Sequence, residues 1–186
     1  MRLFNGGAQA ATVLANVFLP RIAKLNTSDA QFSREVISVQ TVFILCGFAF
    51  AIVLTLGAKP LTLLLFGPQF SPLITILPWF GALFLVRFIA ASWGIILTSI
   101  GEQVFRAKMN LAQWIIVLAL SWIWVPIYQE AGWLMSLILG NVFLVVVYAA
   151  KTLRHTGLNW HQLGIPLIAC GCYVPIFVFS TRLATS

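Results

Sequence analysis

The sequence predicts an all-α fold, a polytopic transmembrane helix bundle of about six spans. Three observations carry this. First, 61% of the 186 residues are hydrophobic and only 8% are charged, with a mean hydropathy of +1.00, whereas a soluble domain carries about 25% charged residues. Second, the apolar residues fall in runs of roughly 20 or more, enough for a helix rising about 1.5 Å per residue to cross a hydrocarbon core about 30 Å thick. Third, the connections between runs are short and polar, so residues 1–186 read as a single transmembrane domain with no room for a soluble one. The net charge of +7 is scattered over the loops as single Lys and Arg residues. That pattern fits membrane topology and not nucleic-acid binding.

The first span runs from about Leu3 to Leu25, with Pro20 near its end. Met1-Arg2 before an apolar run has the outline of a signal peptide, but no small-residue cleavage site follows, so the segment reads as a span. Asn5, Gln9, Thr12 and Asn16 recur at i, i+4, i+7 and i+11, one polar stripe on an apolar rod. Lipid penalises unpaired amides, so the stripe is expected to face other helices or a cavity. The loop Asn26-Thr27-Ser28-Asp29 supplies helix-start residues. A second span follows from about Phe32 to Leu56, opening on Ser33-Arg34-Glu35, with Gln40 and Thr41 a little deeper. In residues 57–72, GAKPLTLLLFGPQFSP, glycines and prolines bracket an apolar piece too short to span. A short interfacial helix is expected there, over about residues 60–67.

The third span, about Pro72 to Ile100, organises the rest of the chain. Its single charge, Arg87, lies almost at its middle, and Pro78 allows a bend. An arginine at the bilayer centre costs about 2.5–3.5 kcal/mol on insertion scales, so it is expected to face protein or water. Ala91, Gly94 and Thr98 extend the Arg87 face at i+4, i+7 and i+11. After the polar turn Gly101-Glu102-Gln103, the fourth span covers about Phe105 to Ile127, with Asn110, Gln113, Val117 and Ser121 on one face. The short connection Tyr128-Gln129-Glu130-Ala131 makes it an antiparallel neighbour of the fifth span, about Gly132 to Ala150. There Gly132, Ser136 and Gly140 recur at small-xxx-small spacing, which favours close backbone packing, and Asn141 is the one midspan amide. The sixth span, about Gln162 to Thr181, is interrupted by Pro166 and Pro175.

Basic residues orient the bundle. Arg21, Lys24, Arg34, Arg106, Lys108, Lys151 and Arg154 fall on one side, and Arg2, Lys59 and Arg182 on the other. The positive-inside rule places the richer side in the cytoplasm. Trp122, Trp124, Tyr128 and Trp133 then form an aromatic belt at the outer end of the fourth and fifth spans.

The chemistry that is absent narrows the function. The four acids, Asp29, Glu35, Glu102 and Glu130, lie in loops or at helix ends, leaving no intramembrane carboxylate for a proton or sodium ion. His155 and His161 share a loop without an acidic or cysteine partner at metal spacing, and Cys46, Cys170 and Cys172 sit in apolar runs as small packing residues. No phosphate-cradling glycine loop, nucleophile elbow or paired carboxylates occur. Neither an enzyme nor a metal or cofactor is expected.

In KPLTLLLFGPQFSPLITILPWFGALFL (Lys59 to Leu85), a short apolar piece ends in LLFG, an aromatic follows three residues on, and a long helix begins. This segment, with ANVFLPRIAKL (Ala15 to Leu25) upstream, resembles the polysaccharide or lipid-linked oligosaccharide flippases of the multidrug/oligosaccharidyl-lipid/polysaccharide exporter superfamily. The resemblance covers about Leu3 to Ala150 and, more weakly, the rest. It implies two six-helix lobes around a central cavity, of which this chain would be the second lobe and its continuation. The first lobe would be supplied by a separate chain, or Met1 would be an internal start. It further implies a bacterial cytoplasmic (inner) membrane, alternating access, and a lipid-linked glycan as substrate. Arg87 would suit the diphosphate linkage, since guanidinium binds phosphate oxygens bidentately. Asn5, Gln9, Asn16, Gln113 and Asn141 would line the sugar path. The alternatives are a multidrug/cation antiporter of the same superfamily, a remnant membrane protein from a broken gene, and a membrane-embedded glycan polymerase or transferase. For the last of these, only Glu130 stands in an outer loop.

Overall fold

The computed structural model describes residues 16–20, 22–25, 30–156 and 164–185. Within them the fold is entirely helical: α1 (Ala30–Leu56), α2 (Ala58–Leu65), a 3-10 turn (Pro68–Phe70), α3 (Leu73–Ser99), α4 (Gln103–Thr156) and α5 (Gly164–Thr185). Residues 16–20 and 22 are helical as well. Three helices, α1, α3 and α4, are long and apolar enough to cross a membrane.

Helix α3 is central. It packs against α1, α2, α4 and α5, and most of the core lines it. Against α1 it runs antiparallel, with Phe50 of α1 stacked on Phe84 and Phe88 and Phe43 tilted against Phe88, at ring separations of 6.0–6.1 Å. The close approach needs Gly47, where a Cβ would lie 2.8 Å from the Phe88 Cβ. One turn nearer the other end, α5 joins the pair. Tyr173 Oη donates to the Pro78 carbonyl at 3.0 Å and lies 2.6 Å from Thr55 Oγ1, so the threonine hydroxyl donates to the tyrosine oxygen. Gly81 opens this junction, because a Cβ there would stand 2.6 Å from Tyr173 Oη and 2.9 Å from the Ala51 carbonyl. Three helices thus meet at two hydroxyls and a carbonyl, with Trp79 packed edge-on to Phe177 beside them.

Helix α3 ends where its sequence stops it. Gly101 has φ 84°, its N–H bonds Thr98 O at 3.2 Å, and the Glu102 N–H bonds Leu97 O at 3.0 Å. This is a Schellman cap, which a glycine accommodates without the Cβ strain of left-handed backbone.

The fourth and fifth apolar segments differ from expectation in their connection. Gln103–Thr156 is two helical arms that meet at Gln129, whose backbone (φ 50°, ψ −127°) is the single non-helical point, where a four-residue link was expected. The chain reverses there. A Cβ on Gly132 would collide with the Trp124 carbonyl, and one on Gly140 with the Val117 side chain, while Tyr148 reaches Asn110. The two arms therefore form an antiparallel hairpin whose seam is the face bearing Gly132, Ser136 and Gly140, all buried. The returning arm also continues past the expected Ala150, to Thr156. At the reversal, Trp122, Tyr128 and Trp133 are exposed.

The outer surface is apolar over its length. Leu45, Val53, Leu64, Leu111, Trp114, Leu118, Ile127 and Val146 are all exposed. Scattered exposed leucines are ordinary, but a contiguous apolar surface on long helices is what lipid contact requires.

Candidate functional site

Of the six residues singled out as candidates, Asn5 and Gln9 lie outside the described residues. Asn16 is exposed on the short helical piece 16–20. Arg87 is exposed near the middle of α3, and its guanidinium makes no hydrogen bond or ion pair to another described side chain. It is the one charge on the most buried helix, placed on that helix's open face.

Gln113 and Asn141 are used differently. Gln113 is half-buried, and its stem lies 3.2 Å from where a Gly140 Cβ would stand. Asn141 is 6% exposed and donates its amide N–H to the Leu137 carbonyl at 2.8 Å. Val117 is 3% exposed, so the polar face Asn110–Gln113–Val117–Ser121 points at the other arm of the hairpin. In place of an open cavity wall, these two amides stand in and beside a packed seam. Arg87 is not brought together with them.

The structure adds a residue that spacing along one helix does not reveal. Arg106, in the first turns of α4, folds its guanidinium onto the Arg87 face of α3. Its Nη1 donates to Thr98 Oγ1 at 2.7 Å, and the Thr98 hydroxyl donates in turn to the Gly94 carbonyl at 2.8 Å. A Cβ on Gly94 would lie 3.2 Å from Arg106 Nε, 3.4 Å from Cζ and 3.5 Å from Nη2. The guanidinium therefore lies flat over an α3 position that has no side chain. Tyr148 holds the Arg106 backbone. Its single hydroxyl proton is shared between the Arg106 carbonyl at 3.2 Å and Asn110 Oδ1 at 2.8 Å.

Beside this cluster, Glu102 pairs with Lys151 Nζ at 2.9 Å, with His155 Nε2 at 3.7 Å. Lys151 also lies 5.3 Å over the Phe105 ring. Arg106, Lys108, Lys151, Arg154 and His155 thus collect at one end of the bundle, and Lys59 lies at the other. His161 lies outside the described residues. Among the described residues no three His, Cys, Asp or Glu side chains gather as a metal would need. Deeper in the core, Gln40 is fully buried with neither amide atom hydrogen-bonded to a described residue, and the Trp93 indole N–H is likewise unpaired.

Compared with protein-family models, with curated proteins and with solved structures, the chain gives no match in any of the three.

Proposed function

We propose that this chain is one lobe of a membrane transporter that flips or exports lipid-linked oligosaccharide or polysaccharide precursors across the bacterial cytoplasmic membrane by alternating access. In this reading α4 counts as two spans, the bundle crosses the membrane six times, and a first lobe on another polypeptide closes the cavity. The observation that carries it is Arg87, exposed at mid-helix on α3 without a described partner. A guanidinium left against lipid at that depth is costly, so its face is turned toward an enclosed polar space. There its planar fork matches the two phosphate oxygens of a diphosphate. The resemblance of Lys59–Leu85 to flippases supports the same reading. The described acids Glu35, Glu102 and Glu130 all stand at helix ends or at the hairpin reversal, which disfavours a cation antiporter.

Complementation tests it. In cells lacking the gene, the wild-type chain restores surface display of the glycan, Arg87→Lys restores part of it, and Arg87→Ala restores none at equal membrane abundance. Full export with Arg87→Ala removes Arg87 from the substrate path and with it the main support for this reading.

A further inference from the structure

We propose that Gly94, Thr98 and Arg106 form a second anion subsite, one that takes a phosphoryl group at the basic end of the bundle before it reaches Arg87. The proposal builds on the transport reading above for its place in the cycle, but the binding itself is independent of transport.

Arg106 is built in as a binding group is. Thr98 spends its proton on the Gly94 carbonyl, so the threonine oxygen is left as an acceptor aimed at Arg106 Nη1. The absent Cβ of Gly94 lets the guanidinium plane settle against the helix. The guanidinium is thereby fixed between Thr98 and the Tyr148 hydroxyl, which is its second side-chain partner, and donors remain to spare. Its charge is not compensated. Among the described residues Arg106 makes no ion pair, because the neighbouring carboxylate, Glu102, is engaged by Lys151 and His155. A half-buried, pre-oriented guanidinium with spare donors and no counter-charge is the arrangement that binds an anion.

Its position gives the anion a direction. Gly94 follows Arg87 by seven residues on the same face of α3, a rise of about 10 Å. The two guanidiniums therefore stand as successive stations along one helix face, Arg106 nearer the basic end. A phosphoryl group is the ligand class that suits both, since each offers planar donors and the one neighbouring carboxylate, Glu102, is already taken up by Lys151 and His155. The competing explanation is that Arg106 only ties α3 to the hairpin.

Binding to the full-length protein in phosphatidylcholine nanodiscs decides between them. Two probes separate the sources of the phosphoryl group: inorganic diphosphate added to solution, and a polyprenyl diphosphate incorporated in the disc and counted by native mass spectrometry. Wild-type protein is expected to bind at least one of them. Arg106→Gln and Thr98→Val should weaken that binding tenfold or more, and Arg106→Lys less. Gly94→Ala keeps every charge but displaces the guanidinium, so it too should weaken binding, which a merely structural tie or a diffuse basic patch does not require. Thr98→Val is nearly isosteric and preserves a folded reference should Arg106→Gln fail to fold.

Binding of neither probe by the wild type, or unchanged binding by folded Arg106→Gln, overturns the subsite. Binding lost in Arg87→Ala but kept in Arg106→Gln also removes it, while the transport reading stands. Binding lost in Arg106→Gln, together with normal export by Arg87→Ala, retains the subsite and overturns the transport reading.

Discussion

At the scale of single residues, backbone conformation makes the sharpest predictions. Gly101 and Gln129 both have positive φ, but only one is a glycine. A Cβ at Gly101 would meet nothing within 4 Å, so Gly101→Ala isolates backbone strain from crowding. It is expected to destabilise the protein by about 1–2 kcal/mol. Gln129 already bears such a strain, of about 1–3 kcal/mol, so Gln129→Gly is expected to stabilise. Unfolding in detergent measures both, and equal signs would contradict these two turns. Gly101 was legible in the sequence, because a glycine after an apolar run signals a helix end. Gln129 was not, since nothing in a Tyr-Gln-Glu-Ala connection says which residue takes the whole reversal.

At the scale of elements, the hairpin seam is the clearest case. Small-xxx-small spacing in Gly132, Ser136 and Gly140 predicts a close helix contact, and the structure puts that stripe against the preceding arm. Gly140→Ala forces a methyl into Val117 and should cost about 1–3 kcal/mol as overpacking. Val117→Ala added to it should recover much of the loss, because it removes the atom in the way. Absence of recovery in a double-mutant cycle would mean the two arms do not meet at this register. The same seam explains Gln113 and Asn141. Their polarity was plain from the sequence, but a helical wheel names the residues on a face without naming what lies opposite. Here the opposite surface is another helix of the same hairpin.

At the scale of the whole molecule, the collection of Arg106, Lys108, Lys151 and Arg154 at one end agrees with the partition of charge read from the loops. Single cysteines placed in a version lacking Cys46, Cys170 and Cys172 test whether that end faces the cytoplasm. All four target positions are exposed. Lys108→Cys and Arg154→Cys should react with an impermeant maleimide only in inverted vesicles. Lys59→Cys and Glu130→Cys should react in right-side-out cells. Labelling of all four from one side would show that the hairpin does not cross the membrane.

The sequence by itself determined the helical class, the apolar segments, the break near Gly57, the stop at Gly101, the reversal before Gly132 and the separation of basic from other ends. These depend on local chemistry: the length of apolar runs, backbone freedom at glycine, and charge in loops. Only the tertiary structure decided where the polar side chains go. It joined Tyr173 to Thr55 and Pro78 across three helices and laid Arg106 over Gly94. It also turned Gln113 and Asn141 to the seam and left Arg87 on the open face of α3. A polar group in an apolar medium takes whichever partner the packing brings near, and that partner belongs to a different part of the chain.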